Sequence, residues 1–131
     1  MILNNLEAVQ AHQALAELGK RDDIPIRASL DIAYLSNLIE TQLKAYRVVL
    51  RNLYKKYSIK PEANEDGFVR FTCTLKGDAE RKENLEAFSE KFNELLEAKT
   101  EDFSPKKIKL PDTIMVKAEV LKALTDFVEI E

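Results

Sequence analysis

The chain holds one cysteine, one histidine, no tryptophan, three glycines and four prolines in 131 residues, and these shortages set the first bounds. A lone Cys73 cannot close an internal disulfide and fits a reducing compartment. One histidine and one cysteine fall short of the usual zinc sets, and neither has a close sequence partner. There is no run of glycines to present backbone amides to a phosphate, and both the dinucleotide fingerprint and the P-loop are missing. No segment approaches the roughly eighteen apolar residues that span a bilayer, and Met1 to Glu7 has no basic leader ahead of an apolar run. A cytoplasmic protein with no membrane partner, no metal and no cofactor is expected.

What is present is a globular composition, 45% hydrophobic and 33% charged, with a formal net charge of -3. That size and balance predict one compact domain over 1–131. The charge is segregated. From Glu40 to Lys60 six basic residues stand against one acid, a net of +5, whereas from Asp78 to Asp102 nine acids stand against four bases, a net of -5. Two such fields attract each other within a fold or present signed faces to partners.

Periodicity predicts a mainly α fold: three to four helices around a long central helix, with a small two-stranded antiparallel β-ribbon. A first helix runs from about Asn5 to Leu18, with Asn4 and Glu7 at capping-box spacing and Gly19 placed for a left-handed exit. The central helix, about 29–57, carries Leu35, Leu38, Ile39, Tyr46, Val49, Leu50, Leu53 and Tyr57 as an apolar stripe. A rod that long outreaches a small core, so other helices cover it or part of it meets another subunit. After a polar turn over Lys60 to Gly67, a strand is predicted at about 68–75, with Val69, Phe71, Cys73 and Leu75 on one side and Phe68 at the sheet edge. An acidic helix follows at about 79–98, then a short strand at about 108–110 expected to pair with the first, and a C-terminal helix at about 117–128. The predicted core is Leu38, Tyr46, Val49, Leu53, Val69, Phe71, Leu85, Phe88, Phe92, Leu121 and Leu124.

Catalysis needs groups that transfer protons, attack or hold charge, and few are here. His12 beside an apolar helix face reads as a boundary residue, and Cys73 on the apolar side of a strand reads as a small hydrophobe. Glu83, Glu86, Glu90 and Glu94 recur at helical spacing without histidine, as a solvated face does. No enzyme is expected. The basic face of the central helix is a stronger candidate: Lys44, Arg47, Arg51 and Lys55 track phosphates or an acidic partner, and Tyr46, Tyr54 and Tyr57 stack on bases or pack at an interface.

Several segments carry a likeness to known proteins: Leu53 to Tyr57, Asn84 to Phe88 with Phe92 to Leu96, Ile108 to Leu110, and Val120 to Glu129. In that order they resemble a group of small uncharacterised proteins encoded by tailed phages and prophages, over about Leu30 to the C-terminus. Where that group places a short polar cap before its last helix, this chain has Val116 and Lys117. The resemblance implies a phage protein acting in the host cytoplasm, carries over no catalytic residue, and favours partner binding or virion assembly over metabolism.

The expected function is non-catalytic: a protein-binding or assembly-accessory role toward a host or phage protein. The alternatives are a nucleic-acid-binding accessory using the basic face, and a structural homo-oligomer joined through the long helix.

Overall fold

Asn4 starts the first helix as its spacing with Glu7 requires. Its Oδ1 accepts from the Glu7 N–H at 2.8 Å while its own N–H donates to Glu7 Oε1 at 3.1 Å, a reciprocal cap on two unpaired donors. The computed structural model describes residues 3–63, 69–99 and 107–130, and it is mainly α with four helices. These are α1 (Asn5–Gly19), α2 (Ile26–Lys56), α3 (Asp78–Glu97) and α4 (Ala118–Ala123). Two strands, β1 (Ile59–Ala63) and β2 (Val69–Cys73), pair antiparallel, and two shorter ones, β3 (Ile108–Leu110) and β4 (Val128–Ile130), pair parallel. The chain divides into two compact units, Met1–Lys44 with Lys99–Glu131, and Ala45–Ala98. The 31 residues of α2 contribute to both.

In the first unit α1 and α2 run antiparallel, because their contacts descend α2 as they ascend α1. Gln42 Nε2 donates to Asn5 Oδ1 at 2.9 Å, His12 Nε2 meets Glu40 Oε2 at 2.9 Å, and Gly19 lies beside Ile32. Ala8, Ala11, Ala14, Leu15 and Leu18 of α1 are buried, as are Ala28, Ile32, Leu35, Ile39 and Leu43 of α2. Each set follows the three-to-four residue spacing of one helix face. Gly19 does not supply the expected left-handed exit; it ends the helix, and Lys20 caps it in a right-handed conformation at φ -84°. Arg21 then grips Asp23 with two side-chain hydrogen bonds, at 2.8 and 2.6 Å, and so holds that carboxyl below its usual range.

β3, α4 and β4 form a parallel crossover whose sheet pairs Ile108 with Val128 and Leu110 with Ile130. Parallel neighbours need a connection of about a dozen residues or more, and α4 lies within it. Ile108, Leu110, Leu124 and Phe127 are buried. The C-terminal helix is shorter than its periodicity predicts. Thr125 Oγ1 donates to the carbonyls of Leu121 and Lys122, each at 3.0 Å, competing with helix continuation, and the chain turns into β4. At the other end of α4, Lys117 offers no side-chain cap; its Nζ reaches Glu17 Oε1 at 3.0 Å instead.

In the second unit the ribbon has a different partner from the one expected. β2 pairs not with Ile108 to Leu110 but with the segment just before it, Ile59 opposite Cys73 and Glu62 opposite Arg70. Lys60 and Pro61 lie in the segment expected to be a polar turn, and Pro61 brings no ladder donor to the strand that forms there. A two-stranded ribbon gives each strand a free edge that tolerates the loss. The expected edge position of Phe68 lies outside the described residues. Ser58 adopts a left-handed φ of 53° between α2 and β1, and its carbonyl accepts from both Thr74 N at 2.9 Å and Thr74 Oγ1 at 3.2 Å.

The core of this unit is aromatic. Phe88 stacks on Phe92 at 5.6 Å, and Phe71 meets both edge-on, at 5.0 and 5.3 Å. Of the predicted core, Phe88 and Leu124 are buried, while Tyr46, Leu53, Phe71, Leu85, Phe92 and Leu121 are half-buried. Three expectations fail: Leu38, Val49 and Val69 are exposed. Leu38 and Val49 lie about 100° around α2 from the neighbours that face inward, and Val69 sits at the ribbon end, opposite Ala63.

Candidate interaction surface

α2 places four of its six basic residues on one side by three-to-four residue spacing. Lys44 in the first unit, and Arg47, Arg51 and Lys55 in the second, are all exposed. The tyrosines grouped with them go elsewhere. Tyr54 joins the aromatic core, 6.0 Å from Phe71 and 5.7 Å from Phe88. Burial pushes the Tyr46 hydroxyl above its usual range, and burial followed by the neighbouring Tyr46 does the same for Tyr54. Tyr57 is half-buried, with Lys56 Nζ 5.4 Å from its ring centre. The fold thus separates Lys44, Arg47, Arg51 and Lys55 from the rings of Tyr46 and Tyr54, which sit on the inward side of the helix.

The acidic field is likewise turned outward. Glu83, Glu86, Glu90, Glu94 and Glu97 are exposed on α3, across the helix from Phe88 and Phe92. The ion pairs described on α3 stay within it, Arg81 with Asp78 and Lys91 with Glu94. The helix meets the end of α2 through side chains of another kind, with Asn84 Nδ2 donating to the Tyr57 carbonyl at 3.1 Å.

The remaining reactive groups are dispersed. His12 is engaged with Glu40, and Cys73 is half-buried with its Sγ 3.7 Å from the Tyr57 carbonyl. Among the described residues no group of three or more His, Cys, Asp or Glu side chains could hold a metal ion, and no helix is long and apolar enough to cross a membrane. Two open depressions in the first unit, of about 420 and 460 Å³, are lined by side chains such as Gln10, Glu17 and Glu119, and Arg27, Lys107 and Lys109. Neither brings a nucleophile together with a base.

One surface was not anticipated. Ile26, Leu30, Tyr34 and Leu38 follow one another every four residues along α2 in the first unit, at 81, 66, 61 and 37% exposure. Leu35 and Ile39, on the other side of the same helix, are 1% exposed. The exposed residues between them in sequence that share the strip's side are Arg27, Ala33 and Asn37, so the strip carries one cation and no exposed carboxylate. The signal is present in the sequence, as an apolar residue at each of four successive i,i+4 positions. It is masked because α2 is apolar on two sides there, and a single stripe absorbs Leu38 together with Leu35 and Ile39.

Comparison with protein-family models, with curated proteins and with solved structures finds no match.

Proposed function

We propose that this chain is a non-catalytic protein-binding or assembly-accessory protein whose contact is the exposed side of α2 formed by Ile26, Leu30, Tyr34 and Leu38. The observation that carries this reading is the pairing of two apolar sides on one helix segment, one buried against its own unit and the other left in water. Apolar residues scattered singly over a surface need no explanation, whereas an aligned strip marks a contact site. The likeness to tailed-phage proteins makes a host or virion protein one class of occupant.

The test is a photo-activated cross-linking residue at Tyr34. It should give a defined protein adduct that Leu30→Glu abolishes. Irradiation that yields no protein adduct at any concentration sinks the reading.

A second reading keeps the nucleic-acid alternative, favoured by the exposure of Lys44, Arg51 and Lys55. With Tyr46 and Tyr54 committed to packing, only phosphate contact remains, and that is strongly salt-dependent. A gel shift insensitive to salt, or none at low salt, counts against it.

A further inference from the structure

We infer that the depression between the start of α2 and β3 is a binding site for a small phosphate monoester, its phosphate held by Arg27, Lys107 and Lys109. The inference goes beyond the protein-binding reading and does not rest on it. Of the residues it invokes, only Arg27 also borders the apolar strip.

The three cations come from two segments far apart in sequence, and the fold brings them to the wall of one depression of about 460 Å³ within the first unit. Like charges gathered in this way repel unless something acidic answers them. Elsewhere in the same unit exposed cations do find acids, Arg21 at Asp23 and Lys117 at Glu17. Here they do not: among the described residues Arg27, Lys107 and Lys109 make no ion pair and no side-chain hydrogen bond. Asp31 is the one carboxylate lining the depression, and it is already engaged. Glu129 stands beside Lys109 in the strand register but does not line the depression. The chain as a whole carries a net charge of -3, so its general field does not draw anions in, and one held here is held by these residues.

The rest of the lining describes the other half of the ligand. Pro25, Ala28 and Pro111 give the depression an apolar part, and a volume in this range suits a small organic molecule with one charged end. Three cations exceed what a single carboxylate needs and match a dianion. A guanidinium among them offers paired N–H donors that fit two phosphate oxygens. The start of α2 adds to this field: Pro25 has no side-chain acceptor to cap the helix, and its first turn holds no acid. The N–H groups of Ile26, Arg27 and Ala28 have no partner within the helix, and the dipole there favours negative charge.

The isotope-labelled full chain is titrated with phenyl phosphate, inorganic phosphate or phenol, each from about 0.1 to 50 mM at constant ionic strength, while its amide resonances are followed. The amides of Arg27, Ala28 and Lys109 should move saturably with phenyl phosphate, with a dissociation constant of about 1 mM. Inorganic phosphate should bind about threefold or more weakly, and phenol should not saturate. Arg27→Gln and Lys109→Gln, both at exposed positions, should each weaken phenyl phosphate by about fivefold or more with the rest of the spectrum preserved. Lys55→Gln, on the basic side of α2 in the second unit, should leave it unchanged. Shifts that stay linear to the end of the titration overturn the site, as does an equal loss in Lys55→Gln, since both mark general attraction to charge. Equal affinity for inorganic phosphate overturns the monoester and leaves the free anion as ligand. Lys109→Gln should keep the Tyr34 photo-adduct, so this site and the protein contact stand or fall separately.

Discussion

Asn84 of α3 donates its side-chain amide to the backbone carbonyl of Tyr57, 27 residues earlier, at 3.1 Å. The last carbonyls of a helix have no partner inside it, and here one at the end of α2 is taken by a side chain from another helix. The same carbonyl lies 3.7 Å from Cys73 Sγ, so α3 and β2 both converge on it. Asn84→Ala should lower stability by about 1 kcal/mol, the usual net worth of one such bond. The check is a lower denaturant midpoint at unchanged slope; an unaltered midpoint removes the carbonyl from the list of things that hold α3 in place.

Phe88→Ala should be far more costly. The ring is 1% exposed and contacts Tyr54, Phe71 and Phe92, so its loss opens a cavity lined by aromatic faces, at about 3 to 5 kcal/mol. Val48→Ala, at an exposed position of α2, should stay within about 0.5 kcal/mol. Urea melts of the two variants side by side settle the contrast, and equal losses would deny the aromatic cluster its role as core.

Alkali should act through Tyr46 and Tyr54. Burial holds both hydroxyls above the ordinary 10.0. Above that pH the unfolded chain ionises them first, so the folded state is at full stability below about 10 and loses it as pH rises toward the folded-state values. Replacing both residues with Phe should flatten that decline. Melting curves on either side of the transition, with tyrosinate absorbance followed alongside, give the comparison; an equal decline in the double variant would assign the alkaline loss to other groups.

The legible parts of the fold were those governed by neighbours in sequence. Asn4 with Glu7 marked the start of α1, the run of apolar residues marked α2, and Ile108 to Leu110 marked β3, because capping and periodicity act over a turn or a few residues. Pairing across distance was not legible. Nothing near Val69 to Cys73 told Ile59 to Ala63 from Ile108 to Leu110 as its neighbour, and the polar residues from Lys60 to Gly67 read as a turn where part of β1 forms. Phase was misjudged where α2 is apolar on two sides, which hid the strip at Leu30 and Tyr34 behind the expectation of a single buried face. That Tyr54 belongs to the aromatic core depended on where Phe71 and Phe88 arrive from.

The division of the chain has a consequence for its synthesis. The unit made of Met1–Lys44 and Lys99–Glu131 is interrupted in sequence by the other, Ala45–Ala98. A ribosome working from the N-terminus therefore finishes the inserted unit first, while α1, which packs on α4, still awaits the segment Lys99–Glu131. During that interval the nascent chain carries the apolar face of an unfinished unit. Such surface is what chaperones hold and what misassembly uses, and the interval lasts until β4, the final strand of the parallel pair, has been made.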